Sequence, residues 1–189
     1  RRADARARLL DERAHPPVPS PSDVTSNPPE LWLVRHGATQ WSEQQRHTGR
    51  TDVPLVTRGE DQARALAPRL AAHNFALVLT SPLQRARETA RLAGYPDATV
   101  DDNLLEWDYG EYEGRTSDEI RARHPGWSLF RDGVPGGETA AEVGYRADRV
   151  VALRRRAESA RGAVARGADD LVDATAGRRE ERLLVGAKY

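Results

Sequence analysis

The alternation of short apolar runs with capped helical stretches constrains the fold of this chain more than any other feature. Residues 31–34 (Leu-Trp-Leu-Val) and 75–80 (Phe-Ala-Leu-Val-Leu-Thr) are apolar runs of strand length. Helix openings stand between and after them. Thr57-Arg58-Gly59-Glu60 has capping-box spacing and predicts a helix to about Ala72, kinked or shortened by Pro68. Ser81 and Pro82 read as an N-cap and first helical position, which puts Arg85 in a first turn, where helix amides favour anions. Thr116 to Glu119 repeats the capping pattern, with that helix ending before Pro125. Thr139 to Glu142 opens the longest helix, to about Ser159, with Val143, Ala147, Val150 and Val151 on one face. Strand, helix, strand, helix predicts an α/β fold with a mainly parallel sheet.

Such sheets place ligands at the carboxyl edge of their strands. The residues at that edge after the first run are Arg35-His36-Gly37-Ala38-Thr39. Gly37 lets backbone approach a bound group closely, and Arg35 offers a planar fork of N–H donors that matches phosphate oxygens. His36 is a nitrogen nucleophile that can attack phosphorus without a metal. A second arginine, Arg85, follows the second run within Ser81-Pro82-Leu83-Gln84-Arg85-Ala86-Arg87-Glu88-Thr89-Ala90.

These segments resemble the histidine phosphatase superfamily, which includes the cofactor-dependent phosphoglycerate mutases and many broad-specificity phosphomonoesterases. Its R-H-G-x-T opening matches residues 35–39, and its S-x-L-x-R-A-x-x-T-A segment matches residues 81–90. Its acidic segment matches Glu106-Trp107-Asp108-Tyr109-Gly110-Glu111-Tyr112-Glu113-Gly114. Weaker matches are Gly49-Arg50-Thr51-Asp52-Val53-Pro54-Leu55 and Pro135-Gly136-Gly137-Glu138-Thr139, and all stand in family order. The resemblance implies a three-layer α/β fold, a mainly parallel central sheet with helices on both sides. It implies that His36 becomes a phosphohistidine, that Arg35 and Arg85 clamp the phosphoryl group with Gly37 and Thr39 beside them, and that Glu106 is the general acid. Thr48 and Gly49 fall where relatives contact phosphate or substrate, and Tyr109 where mutases hold theirs. Ser42 stands where the family usually has Asn. Asp108, Glu111 and Glu113 lie close enough to Glu106 in sequence to compete for its role, and Trp41 and Trp107 flank the motifs as candidate pocket walls. No metal and no cofactor are implied.

One departure bears on activity. Relatives carry a second His-Gly after a late apolar strand, and that His donates to a phosphoryl oxygen. The last histidine here is His124, and neither it, His47 nor His73 carries a motif that would make it the replacement. Near residues 171–177, where the late strand is expected, Thr175 or Ala176 takes the place of the His. Residues 160–189 therefore read as an atypical tail, either a variant that lacks one donor or a stretch out of register with the family, and the sheet as incomplete at the C-terminus. Loss of one donor from a transition-state site costs on the order of 10²- to 10³-fold in rate.

Composition sets the bounds. A chain of 189 residues with 38% hydrophobic content suits one domain, residues 30–159, preceded by a charged and Pro-rich extension, residues 1–29, expected to be disordered. Formal net charge is zero, which argues against nucleic acid as a partner; Arg154-Arg155-Arg156 reads as a solvated helix face. Absence of cysteine excludes disulfides, thiolate chemistry and zinc-cysteine sites. No apolar run approaches the length that crosses a bilayer, so a cytoplasmic location is expected. Methionine is absent even at position 1, so the natural start is expected to lie earlier. The expected function is phosphomonoester hydrolysis on a small phosphorylated metabolite. Mutase-type transfer and a non-catalytic phosphate binder are the alternatives.

Overall fold

The structure is a computed structural model and describes residues 31–164 and 180–185. The expected extension, residues 1–29, and the stretch 171–177 lie outside the described residues. Among the described residues four strands, β1 (Leu31–Val34), β2 (Asn74–Thr80), β3 (Thr99–Val100) and β4 (Glu180–Val185), form one sheet in the order β1-β4-β2-β3. Every pair is parallel. The late strand is thus in place, drawn from residues 180–185 and not from 171–177. The sequence expectation fails there because Arg182 and the glutamates before it mask a strand whose apolar content is only Leu183, Leu184 and Val185. Val185 pairs with both Val34 and Thr80, so three strands end on one line, and the residues that follow β1 and β2 share one edge.

Among the described residues six helices accompany the sheet: α1 (Gln40–Glu43), α2 (Thr57–Leu70), α3 (Gln84–Leu92), α4 (Ser117–Arg123), α5 (Leu129–Asp132) and α6 (Ala140–Val164). Leu70, Ala90 and Ala93 of the α2–α3 layer bury Trp32 and Val34 of β1 and Phe75 and Val78 of β2. On the opposite face Leu77 and Leu79 meet Leu104 and Val150 of α6. β2 can serve both layers because neighbouring side chains alternate in direction and because the register slips between Phe75 and Leu77. Helices therefore cover both sides of a parallel sheet, as expected. Among the described residues no helix is long and apolar enough to cross a membrane.

Helix starts differ from expectation in two places. The N-cap of α2 is Val56 with no side-chain bond, so Thr57 is already helical, and Glu60 pairs with Arg64 at 2.9 Å instead of closing a box. Pro68 sits inside α2, which ends at Leu70 and not Ala72. α3 begins at Gln84 after the N-cap Leu83, not at Pro82. Its first amide donates to Asp52 Oδ1 at 2.8 Å, so the anion favoured at this helix start is the chain's own carboxylate. The boxes at Thr116 and Thr139 do form. On α6, Val143 and Val150 are buried but Val151 is 37% exposed, since one residue turns the face by about 100°. α6 runs past Ser159 to Val164.

Candidate active site

Turn 35–39 leaves β1 at the shared edge. Its shape is fixed by a close approach: a Cβ on Gly37 would lie 2.1 Å from the Gly59 carbonyl oxygen, and one on Gly59 would lie 2.1 Å from that of Ala38. Two glycines thus let the turn pack against the first turn of α2. Gly37 N donates to Thr89 Oγ1 at 3.1 Å, and that hydroxyl donates to the Arg85 carbonyl at 2.7 Å, tying the turn to α3. Thr39 is fully buried and caps α1: Ser42 N donates to Thr39 Oγ1 at 3.1 Å and Thr39 N to Ser42 Oγ at 2.8 Å. His36 Nδ1 lies 2.7 Å from the Gly37 carbonyl oxygen. A carbonyl can only accept, which assigns the proton to Nδ1 and makes Nε2 the basic ring nitrogen.

A cavity of about 480 Å³ opens at the sheet edge and gathers Arg35, His36, Ser42, Thr48, Glu106 and Tyr109 in its wall. A shallower hollow of about 240 Å³ shares Arg35, His36 and Ser42 and adds Gly37. Thr39, Gly49 and Arg85 line neither hollow among the described residues. Thr39 is consumed by its cap. Gly49 is buried beneath the acidic segment, where a Cβ would lie 2.1 Å from the Trp107 carbonyl oxygen. Arg85, 1% exposed, donates to the carbonyls of Thr51 at 3.0 Å, Gly49 at 2.8 Å and Thr48 at 3.4 Å. Burial lowers its pKa, opposed by the charges of Glu106, Asp52 and Glu113. In this arrangement Arg85 shapes the loop that carries Thr48. Ser42 also gives its proton to a backbone oxygen, Thr39 O at 2.9 Å, which leaves it an acceptor towards the cavity.

Of the four acidic candidates, only Glu106 lines the cavity. It is 4% exposed, and its Oε1 accepts from Trp107 N at 3.1 Å. Glu113 turns the other way and accepts from Arg50 N at 2.7 Å and Thr51 N at 3.1 Å. Asp108 caps Gly110 N at 2.9 Å, and Glu111 is exposed. Burial, then the charges of Glu106 and Glu113, raises the Tyr109 hydroxyl pKa, with Arg35 pulling it down, so Tyr109 presents a neutral hydroxyl. Trp107 packs in a cluster with Tyr112 and Ile120, and neither it nor Trp41 reaches the cavity. Among the described residues no three His, Asp or Glu side chains group as a metal site.

A family model described as the histidine phosphatase superfamily, branch 1, matches residues 31–167. The chain belongs to this superfamily. An acid phosphatase of Mycobacterium tuberculosis is 44% identical over 125 residues, 65% of this chain and 62% of that protein. A sedoheptulose 1,7-bisphosphatase of Saccharomyces cerevisiae is 35% identical over 148 residues, 66% of this chain and 55% of that protein. The chain thus matches less than two thirds of the length of either relative. The solved structure of a Mycobacterium tuberculosis open reading frame superposes with a TM-score of 0.70 at 36% identity, covering 85% of this chain and 75% of that one.

Within this superfamily member several site residues escape motif reading. His47 lines the cavity, its Nε2 3.2 Å from Ser117 Oγ and its ring 4.7 Å from that of Tyr109. Arg46, Ser117 and Arg121 share the same wall. Gln45, also in the wall, holds a φ of 57°, a left-handed conformation that costs a non-glycine residue of order 1 kcal/mol. No sequence signal marks these positions, because a loop and a helix start far apart in the chain meet only in the fold. Thr89 and Glu113 did carry a signal, as members of matched motifs, but a motif does not say which member supports and which reacts.

Proposed function

We propose that this protein hydrolyses small polar phosphomonoesters through a phosphohistidine on His36. The observation that carries the reading is the convergence of Arg35, His36, Glu106 and Tyr109 on one cavity, with His36 tethered at Nδ1. Nε2 attacks phosphorus, the N–P bond forms, and the ester O–P bond breaks. Glu106, buried in the cavity wall, protonates the departing alkoxide. Water then attacks the phosphohistidine with Glu106 taking its proton, and inorganic phosphate leaves. Arg35 offsets the charge on the transferring oxygens. The nitrogen nucleophile and the arginine carry this sequence without a metal or cofactor. The described wall holds no aliphatic side chain, which favours a hydroxylated or charged carbon skeleton over an apolar one. A cysteine-free chain suits a cytoplasmic setting.

A second reading, a non-catalytic phosphate binder, draws on β4: the residues after Val185 are Gly186-Ala187-Lys188-Tyr189, without the second histidine of the superfamily. The two readings separate on an aryl phosphate assayed from acid to neutral pH, with His36→Ala as control. Hydrolysis requires turnover that disappears with His36 and an acid-labile phosphoryl label on the wild-type protein. Phosphate binding without label or turnover would establish the binder and sink the enzyme.

A further inference from the structure

Glu106 stands in a segment with little regular structure. Between β3 and α4 the chain forms only two three-residue 3₁₀ turns, Asp102–Leu104 and Gly110–Tyr112, so no helix or sheet ladder fixes the acid. The residues on both sides of Glu106 are instead bonded from outside. Arg146 of α6 donates from Nη1 to the carbonyls of Asn103 at 3.0 Å and Leu105 at 2.7 Å, the latter being the residue before the acid. Glu138 holds the residues after it: its Oε2 accepts from Asp108 N at 3.0 Å, and its carbonyl accepts from Trp107 Nε1 at 2.8 Å. Arg146 and Glu138 then close on each other through two bonds, Nε to Oε1 and Nη2 to Oε2, both 2.8 Å, with each side chain 15% exposed. Arg50 adds a third bond to Glu138 Oε1 at 3.1 Å.

We infer that the Glu138–Arg146 pair is the positioning device of the general acid, setting where the Glu106 carboxyl meets the leaving oxygen. The inference rests on the proposed role of Glu106. A largely buried ion pair is a poor device for stability alone, since an apolar pair of like volume serves as well or better, whereas a planar fork that bonds a carboxylate and two carbonyls at once fixes direction. A lysine, with a single charged nitrogen, cannot span all three partners.

The leaving group provides the test. A nitrophenolate departs without a proton, whereas an alkoxide needs one, so an enzyme with a displaced acid fails selectively on alkyl phosphates. Turnover of para-nitrophenyl phosphate and of glycerol 3-phosphate is compared for the wild type, Glu106→Gln, Arg146→Met and Arg146→Lys, with thermal unfolding recorded for each. Arg146→Met should lose about 10²-fold in kcat on glycerol 3-phosphate and only a few-fold on the aryl ester, the same split as Glu106→Gln, with Arg146→Lys in between. Equal losses on both esters, or none, in a folded Arg146→Met protein whose Glu106→Gln counterpart shows the split, would overturn the positioning role alone. Absence of the split in Glu106→Gln removes the acid itself and the inference with it. For a protein that binds inorganic phosphate without turnover, the same variants are compared by proton uptake on binding, measured by calorimetry in two buffers. Uptake lost in both Glu106→Gln and Arg146→Met supports the inference, and uptake retained in Arg146→Met overturns it.

Discussion

The two halves of the site are built in opposite ways. The half around the proposed nucleophile, residues 35–42, is held by its own cap and by small residues of two helices: Thr39 and Ser42 cap each other, Gly37 rests on Gly59 of α2, and Thr89 of α3 anchors Gly37 N. The acid half, residues 103–113, has little regular structure and is held by side chains 30 to 43 residues away, Glu138 and Arg146. The first half needs particular small residues at particular positions, and so leaves a sequence motif. The second needs charge and reach delivered from another element, so its motif names Glu106 without showing what holds it.

This contrast can be broken or sharpened by mutation. His36→Ala should have the largest effect, a loss of aryl phosphate turnover on the order of 10⁴-fold or more, because the proposed nucleophile has no partial substitute. Gly37→Ala comes next. The new Cβ meets the Gly59 carbonyl, which is backbone and cannot swing away, so chemical denaturation should show a loss of about 3 kcal/mol, the upper end for overpacking. Glu138→Gln should lower stability by about 2 kcal/mol at pH 7, less than a fully buried pair because both partners retain some exposure. Burial pushes the Glu138 carboxyl up, but the Arg146 hydrogen bonds, the Asp108 amide and the charges of Arg146 and Arg50 hold it below its ordinary value. A group so depressed stabilises the fold above the unfolded-state pKa, and that contribution fades as pH falls through the folded value. The gap between wild type and Glu138→Gln should therefore be full at pH 7 and close as pH falls below the ordinary carboxylate range.

Thr89→Val leaves the Gly37 amide buried without its acceptor and should cost about 1.5 kcal/mol in urea unfolding. Thr39→Ala, the smallest change, removes an N-cap worth about 1 kcal/mol and should leave the KM for an aryl ester near the wild-type value, because Thr39 does not line the cavity. A large KM effect from Thr39→Ala would show that the nucleophile half is less self-contained than its hydrogen bonds suggest.

The same division explains what was legible in the sequence. β1, β2 and the boxes at Thr116 and Thr139 were readable because apolar runs and capping spacings act over a few residues. The box at Thr57 was misread, since Val56 takes the cap position and leaves Thr57 inside the helix. β4 was missed because a central parallel strand bonded on both sides needs little pattern of its own; its neighbours β1 and β2 supply the ladder. Arg85 illustrates a motif residue whose position was readable and whose bonds were not: the fold turns its guanidinium onto the 48–51 carbonyls.

By itself the sequence determined the family and the glycine-bearing turn that carries His36, because backbone sterics admit few residues at those places. Only the tertiary structure decided that Glu106, and not Asp108, Glu111 or Glu113, faces the cavity, that His47 and Arg121 join its wall, and that Arg146 reaches the acid's backbone. Four carboxylates in eight residues are chemically alike in the chain. What separates them is direction, and direction is set by packing and by hydrogen bonds from distant elements.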